Sequence, residues 1–162
     1  MRIKSNYLLY NGIKYKCSIG NGGFSNKKKE GDGCTPVGIF QVTDILYRKD
    51  KLKNLVTNYD LQTISPSDGW CDDPNSKYYN TKIKFPFANS AEKLFRQDGR
   101  YDIVCVTNHN QNPIISGAGS AIFIHVASED YSTTAGCVAL SLKDLTEILS
   151  TLTKTTELFF GL

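Results

Sequence analysis

Ser120-Ala121-Ile122-Phe123-Ile124-His125-Val126-Ala127, and after it Thr134-Ala135-Gly136-Cys137-Val138-Ala139-Leu140, is the stretch on which the reading of this chain turns. The first run is continuously apolar and carries one histidine near its end. Such a run reads as a strand covered on both faces. The second run puts a cysteine behind a glycine, twelve residues beyond the histidine. A free thiol is mostly protonated at neutral pH, so a nucleophilic cysteine needs a base or a cation beside it. A strand-borne histidine and a cysteine on a glycine turn meet that need. Gly136 leaves room beside the sulfur and offers backbone N–H groups, with that of Cys137, where an oxyanion would form. The plainer alternative is a buried free cysteine and a satisfied core histidine, both common in folded proteins.

Working outward, Leu142 to about Leu152 reads as a helix. Leu142, Leu145, Ile148, Leu149 and Leu152 recur at helical spacing, and Ser141 with Asp144 resembles a capping box. Asn11-Gly12 between Tyr7–Tyr10 and Ile13–Ile19 is a two-residue hairpin signal. Gly38–Tyr47, Tyr101–Thr107 and Glu157–Phe160 read as further strands. Residues 64–82 are rich in Ser, Asp, Pro, Asn and Tyr and read as one long loop. Asn89–Arg96, with Asn89 or Ser90 as cap, is a candidate short helix. The expected fold is mostly β, a β-rich sandwich or barrel-like domain with one or two helices. Residues 1–162 are expected to form a single domain, as size predicts.

Nineteen basic and sixteen acidic residues give a net charge of +3, too little for a long-range field toward nucleic acid. Lys27-Lys28-Lys29 is the only basic run and reads as a solvated loop. The five cysteines, at 17, 34, 71, 105 and 137, are odd in number and widely spaced, which argues against a disulfide framework and against zinc. Two histidines exclude a His-rich metal cluster. No run approaches the ~20 apolar residues of a membrane span, and the N-terminal residues lack the 7–15 apolar residues of a secretory leader. Free thiols suit a reducing compartment. The expected location is therefore cytoplasmic, or periplasmic or cell wall if a leader was trimmed.

Several segments together carry a resemblance. His125, then Thr134, Gly136 and Cys137, resembles the His…Ser/Thr-x-Gly-Cys signature of the L,D-transpeptidase catalytic domain family, the YkuD type. Glu30-Gly31-Asp32-Gly33-Cys34-Thr35-Pro36-Val37-Gly38-Ile39-Phe40 resembles the Gly-Asp-x-x-Thr-Pro-x-Gly-x-Phe run that the family carries toward its N-terminal end. Gly69-Trp70-Cys71-Asp72-Asp73-Pro74, Tyr78-Tyr79-Asn80 and Gly119–His125 resemble one branch of it. The likeness spans about residues 10–150. Two features depart from the common pattern. The His-to-Cys spacing is short, so the loop 126–136 is tight. Ala139 stands where cross-linking members carry an arginine, and members reading Cys-hydrophobic-Ala resemble L,D-carboxypeptidases.

The resemblance implies a substrate, a peptidoglycan tetrapeptide stem cut between diaminopimelate and a terminal D-Ala, and implies no metal or organic cofactor. It casts Cys137 as nucleophile, His125 as its base and the Val126 carbonyl as the acceptor that orients the imidazole. Gly136 and Cys137 N–H groups become the oxyanion donors. Thr134 shapes the turn or touches substrate. His109 and Ser120 are further substrate-binding candidates, His109 being alternatively a loop histidine bonded to its neighbours. Asp72, Asp73, Tyr78, Tyr79 and Asn80 either bind the charged ends of diaminopimelate or form turns. Gly31, Asp32, Thr35, Pro36 and Gly38 are expected to fix a turn. Rival classes are an inert wall-peptide binding module and a papain-like protease, in which the cysteine precedes the histidine.

Overall fold

In the computed structural model, which describes residues 1–26 and 28–162, the apolar run becomes a strand only over its second half, Phe123–Val126. The chain order is β1 (Arg2–Ile3), β2 (Tyr7–Tyr10), β3 (Ile13–Ser18), β4 (Phe24–Ser25), β5 (Thr35–Pro36), β6 (Gly38–Phe40), β7 (Val42–Tyr47) and β8 (Leu61–Thr63). Then come β9 (Asp68–Cys71), β10 (Lys82–Lys84), β11 (Ala91–Lys93), β12 (Ile103–Thr107), β13 (Phe123–Val126), β14 (Val138–Leu140), α1 (Leu142–Thr151) and β15 (Leu158–Phe160). The fold is mostly β, with one helix and a curled main sheet.

Ten strands form the main sheet in the order β6-β15-β1-β2-β3-β14-β13-β12-β7-β8. A three-stranded sheet, β10-β9-β11, and the pair β4-β5 complete it. The central strands explain why the apolar run does not alternate. Ile103, Cys105, Ile124, Val126, Val138 and Leu140 pack with Leu145, Ile148 and Leu149 of α1 in one core. Val104, Val106 and Phe123 point the other way, into a second core with Trp70, Leu94, Tyr101 and Cys137. Both faces are covered, so both must be apolar. His125 pairs with Val104 across β12 and with Ala139 on β14. By strand alternation it belongs to the Trp70 side.

The helix forms as its pattern predicts, with the Ser141 hydroxyl accepting from Asp144 N at 3.0 Å. Asn11 and Gly12 take φ of 48° and 80°, as a two-residue turn matching strand twist requires. Other expectations fail for identifiable reasons. Asn89–Arg96 is not a helix, because residues 91–93 pair with β9. Eight residues are too few for a helix to hold itself, and a sheet edge was available. The supposed long loop contains β9, whose four residues are all buried. Its turn-rich flanks hid the apolar Gly69-Trp70-Cys71. Gly38–Tyr47 is two strands broken at Gln41. Of the basic run, Lys27 lies outside the described residues. The Lys28 side chain is only 7% exposed and pairs with Asp32 at 2.5 Å, so it is not solvated.

Candidate active site

β13 and β14 lie parallel and adjacent, although only the short segment 127–137 joins them. That segment is strapped down. Ser18 Oγ donates to the Tyr131 carbonyl at 2.7 Å, Thr134 N to Ile19 O at 3.0 Å and Asn21 N to Thr134 O at 2.9 Å. The result brings His125, Thr134, Cys137 and Ala139 onto one open cavity of about 280 Å³.

The cysteine turn is locked by hydroxyls. Thr134 Oγ1 donates to the Cys137 carbonyl at 2.6 Å and accepts from Gly136 N at 3.1 Å. Thr35 Oγ1 donates to the Gly136 carbonyl and accepts from Gly20 N, each at 2.9 Å. Gly136 has φ of +141°, and a Cβ there would lie 2.8 Å from the Cys34 carbonyl oxygen, so only glycine fits. The Asp32 carboxylate accepts from Lys29 N and Cys34 N at 2.8 Å each and shapes the loop that presents Thr35. The segment 30–40 therefore fixes a turn, as its residues suggested, and that turn braces the cysteine. One expectation is corrected: the Gly136 N–H is spent on Thr134 and does not point into the cavity as an oxyanion donor.

His125 is 6% exposed. Its Nδ1 donates to the Val126 carbonyl at 2.8 Å, which leaves Nε2 with the free lone pair. The Tyr101 ring meets the imidazole edge-on at 5.2 Å, and the Tyr101 hydroxyl donates to Glu92 at 2.6 Å. Cys137 is buried, its thiol donating to the Ala121 carbonyl at 3.0 Å while Phe123 N donates to the sulfur at 3.4 Å. Thiol and imidazole share the cavity but do not hydrogen-bond each other. Burial pushes the Cys137 thiol up to about 12, reinforced by the Glu92 carboxylate. Burial also lowers the His125 imidazole to about 4, against the opposing bond to Val126. At neutral pH the pair is a thiol and a neutral imidazole with one free nitrogen. This arrangement can support attack with concerted proton removal.

The sequence model of the L,D-transpeptidase catalytic domain family, YkuD, matches residues 4–159. The chain belongs to that family. No curated protein matches it closely enough to count as a relative. As a YkuD-domain chain it is an L,D-transpeptidase-type enzyme acting on peptidoglycan peptide stems. Among the described residues no helix is long and apolar enough to cross a membrane, and no group of three metal-ligating side chains is assembled.

Seven residues read as substrate contacts do not line this YkuD cavity, the exposed Tyr78 among them. Asp73 closes a turn, accepting from Asn75 N at 2.9 Å and Asn89 Nδ2 at 3.0 Å. Asp72 directly follows β9, its N–H donating to the Ser90 carbonyl at 3.3 Å. The Tyr79 hydroxyl accepts from Gly119 N at 3.0 Å and donates to Glu30. His109 is held at the Ala118 carbonyl by Nε2 at 3.2 Å. Ser120 is buried. Asn80, 1% exposed, is wholly consumed by internal bonds. In their place the cavity takes Glu92, Lys93, Arg96, Arg100 and Tyr101, none of which the sequence marked as a site residue. Five of the nine residues 92–100 are charged, which was the available signal. Arg96 and Arg100 both reach Asp98, at 2.5 and 3.7 Å.

Proposed function

We propose that this chain, acting as a single catalytic domain over residues 1–162, is an L,D-carboxypeptidase that removes the terminal D-Ala from a tetrapeptide stem by cutting its bond to diaminopimelate. The observation that carries the reading is the common cavity of Cys137, His125 and Ala139. Cys137 Sγ attacks the scissile carbonyl as its proton passes to His125 Nε2. The S–C bond forms, the C–N bond breaks, and His125 returns the proton to the leaving D-Ala amine. Water then attacks the thioester, its proton again going to His125, and the tripeptide carboxylate leaves as the thiol is restored.

One feature supports water as the acceptor. Ala139 places a methyl where cross-linking relatives carry an arginine, so β14 offers no guanidinium beside the sulfur to seat a second stem. Arg96 and Arg100, at the same cavity, suit the terminal carboxylate of the stem being cut. The five free thiols fit cytoplasmic trimming of recycled stems. Mass analysis of a disaccharide tetrapeptide incubated with the protein tests the reading. Free tripeptide is expected; 3–3 linked dimers formed at rival rates would make the enzyme a transpeptidase, and no change would favour an inert binding module.

A further inference from the structure

Beside the sulfur sits a residue in a conformation it does not prefer. Ala121 has φ of 50°, in the left-handed region that side chains other than glycine, asparagine and aspartate rarely adopt. It is pinned on both sides of its Cα. Its N–H donates to Asn80 Oδ1 at 3.1 Å, and its carbonyl accepts the Cys137 thiol proton at 3.0 Å. Asn80 is itself over-determined: Oδ1 also accepts from Trp70 Nε1 at 3.0 Å, and Nδ2 donates to His109 O at 3.2 Å and Asn110 O at 2.8 Å. Two acceptor and two donor bonds exhaust an asparagine amide. An unfavourable backbone state that persists because its surroundings fix it points to a positional role.

We propose that Asn80 is a positioning residue for the nucleophile, holding Ala121 left-handed so that its carbonyl stays on the Cys137 thiol and fixes the sulfur's orientation in the resting enzyme. The inference rests on the assignment of Cys137 as nucleophile. The carbonyl favours the protonated thiol, while the Phe123 N–H on the other side of the sulfur favours the thiolate. Substrate attack exchanges the first contact for the proton's transfer to His125. Asn80 does not line the cavity, so its influence runs through the sulfur and not through binding.

The test pairs thiol chemistry with turnover. Asn80→Ala frees Ala121 to relax to an ordinary φ, and its carbonyl swings away. Alkylation of Cys137 by iodoacetamide is expected to shift about one pH unit lower, tenfold faster at a given pH below the midpoint. kcat for tripeptide release is expected to fall about tenfold with KM unchanged. The titratable and charged groups around the thiol are Glu92 on β11, Lys28, Tyr101 and His125, and the substitution removes none of them, so the shift reports on the carbonyl. Glycine takes the left-handed state freely, so Asn80→Ala/Ala121→Gly should recover most of both changes. General loosening of the fold gives no such rescue. If Asn80→Ala does not fold, Ala121→Val disfavours the same φ with Asn80 intact and should reproduce the paired shift. An unchanged alkylation profile, no glycine rescue, or a KM effect in place of a kcat effect overturns the proposal. The alkylation arm needs no stem peptide. A protein inert toward stems therefore refutes the proposed function without deciding the role of Asn80.

Discussion

The Thr35 hydroxyl donates to the Gly136 carbonyl at 2.9 Å, joining residues 101 positions apart and tying the Gly-Asp-x-Cys-Thr-Pro segment to the turn that carries Cys137. Thr35 is fully buried and also accepts from Gly20 N. Thr35→Val keeps the volume and leaves a buried N–H and a buried C=O unpaired, each costing about 1–3 kcal/mol. Urea denaturation should show a loss of about 2 kcal/mol or more, and kcat should fall with it. Thr35→Ser should restore both. Full activity in the valine variant would mean the brace has no part in placing the sulfur.

Cys137→Ala should abolish release of D-Ala, because it removes the thiol that shares a cavity with the His125 imidazole. Cys17 and Cys105 are buried in the α1 core. Cys17→Ala and Cys105→Ala should lower the melting temperature and keep kcat. Turnover surviving in the Cys137 variant would assign the chemistry elsewhere.

The neutral thiol–imidazole pair has a pH signature. Burial lowers His125 to about 4 and raises Cys137 to about 12. The reactive form, neutral base and protonated thiol, is then the resting form across the range between them. kcat/KM should be level from about pH 5 to about pH 9, and iodoacetamide should react slowly with the free enzyme at pH 6. A narrow bell near pH 7, or rapid alkylation at pH 6, would instead indicate a preformed thiolate–imidazolium pair.

The same burial makes stability pH-dependent. The unfolded histidine titrates near 6.5 and the folded one near 4, so between those values the unfolded chain binds more protons. The unfolding free energy therefore rises with pH through that window. His125 contributes up to about 3 kcal/mol above pH 6.5, lost as pH falls toward 4. His125→Gln should flatten this part of the curve in denaturation series run from pH 4 to 7. A slope unchanged by the substitution would place the acid sensitivity in other groups.

The core strands and the helix were legible because each obeys a local rule: continuous apolarity where both faces are covered, 3.6-residue spacing where one is. The His125–Val126 contact was expected from the family resemblance, and neighbours in sequence make it. What escaped the sequence was decided by partners distant along the chain. β9 and β11 exist because they pair with each other, and nothing local in Asn89–Arg96 announces that. Asn80 was singled out, yet its role depends on Ala121, forty-one positions away, and on a φ no composition reveals. Glu92, Arg96 and Arg100 reach the cavity only because β11 docks beside β9.

Arg96 and Arg100 make the last prediction, because they separate binding from chemistry. Both line the cavity, and both already contact one carboxylate, that of Asp98, which shows the geometry they can offer. Asp98 is exposed, so a substrate carboxylate can compete for or share the same guanidinium groups. A charge-assisted hydrogen bond is worth about 1.5–3 kcal/mol. Arg100→Gln should therefore raise KM for a tetrapeptide ending in a free D-Ala carboxylate by about tenfold or more, with kcat changed little. Arg96→Gln should act in the same direction and also loosen Tyr101, over whose ring the guanidinium sits at 5.2 Å. The C-terminally amidated tetrapeptide lacks the charge, so it should bind the parent enzyme as weakly as the free acid binds the Arg100 variant. Steady-state kinetics on the two peptides with both variants decides the matter. Equal KM values for acid and amide with the parent enzyme would show that these arginines do not read the end of the stem.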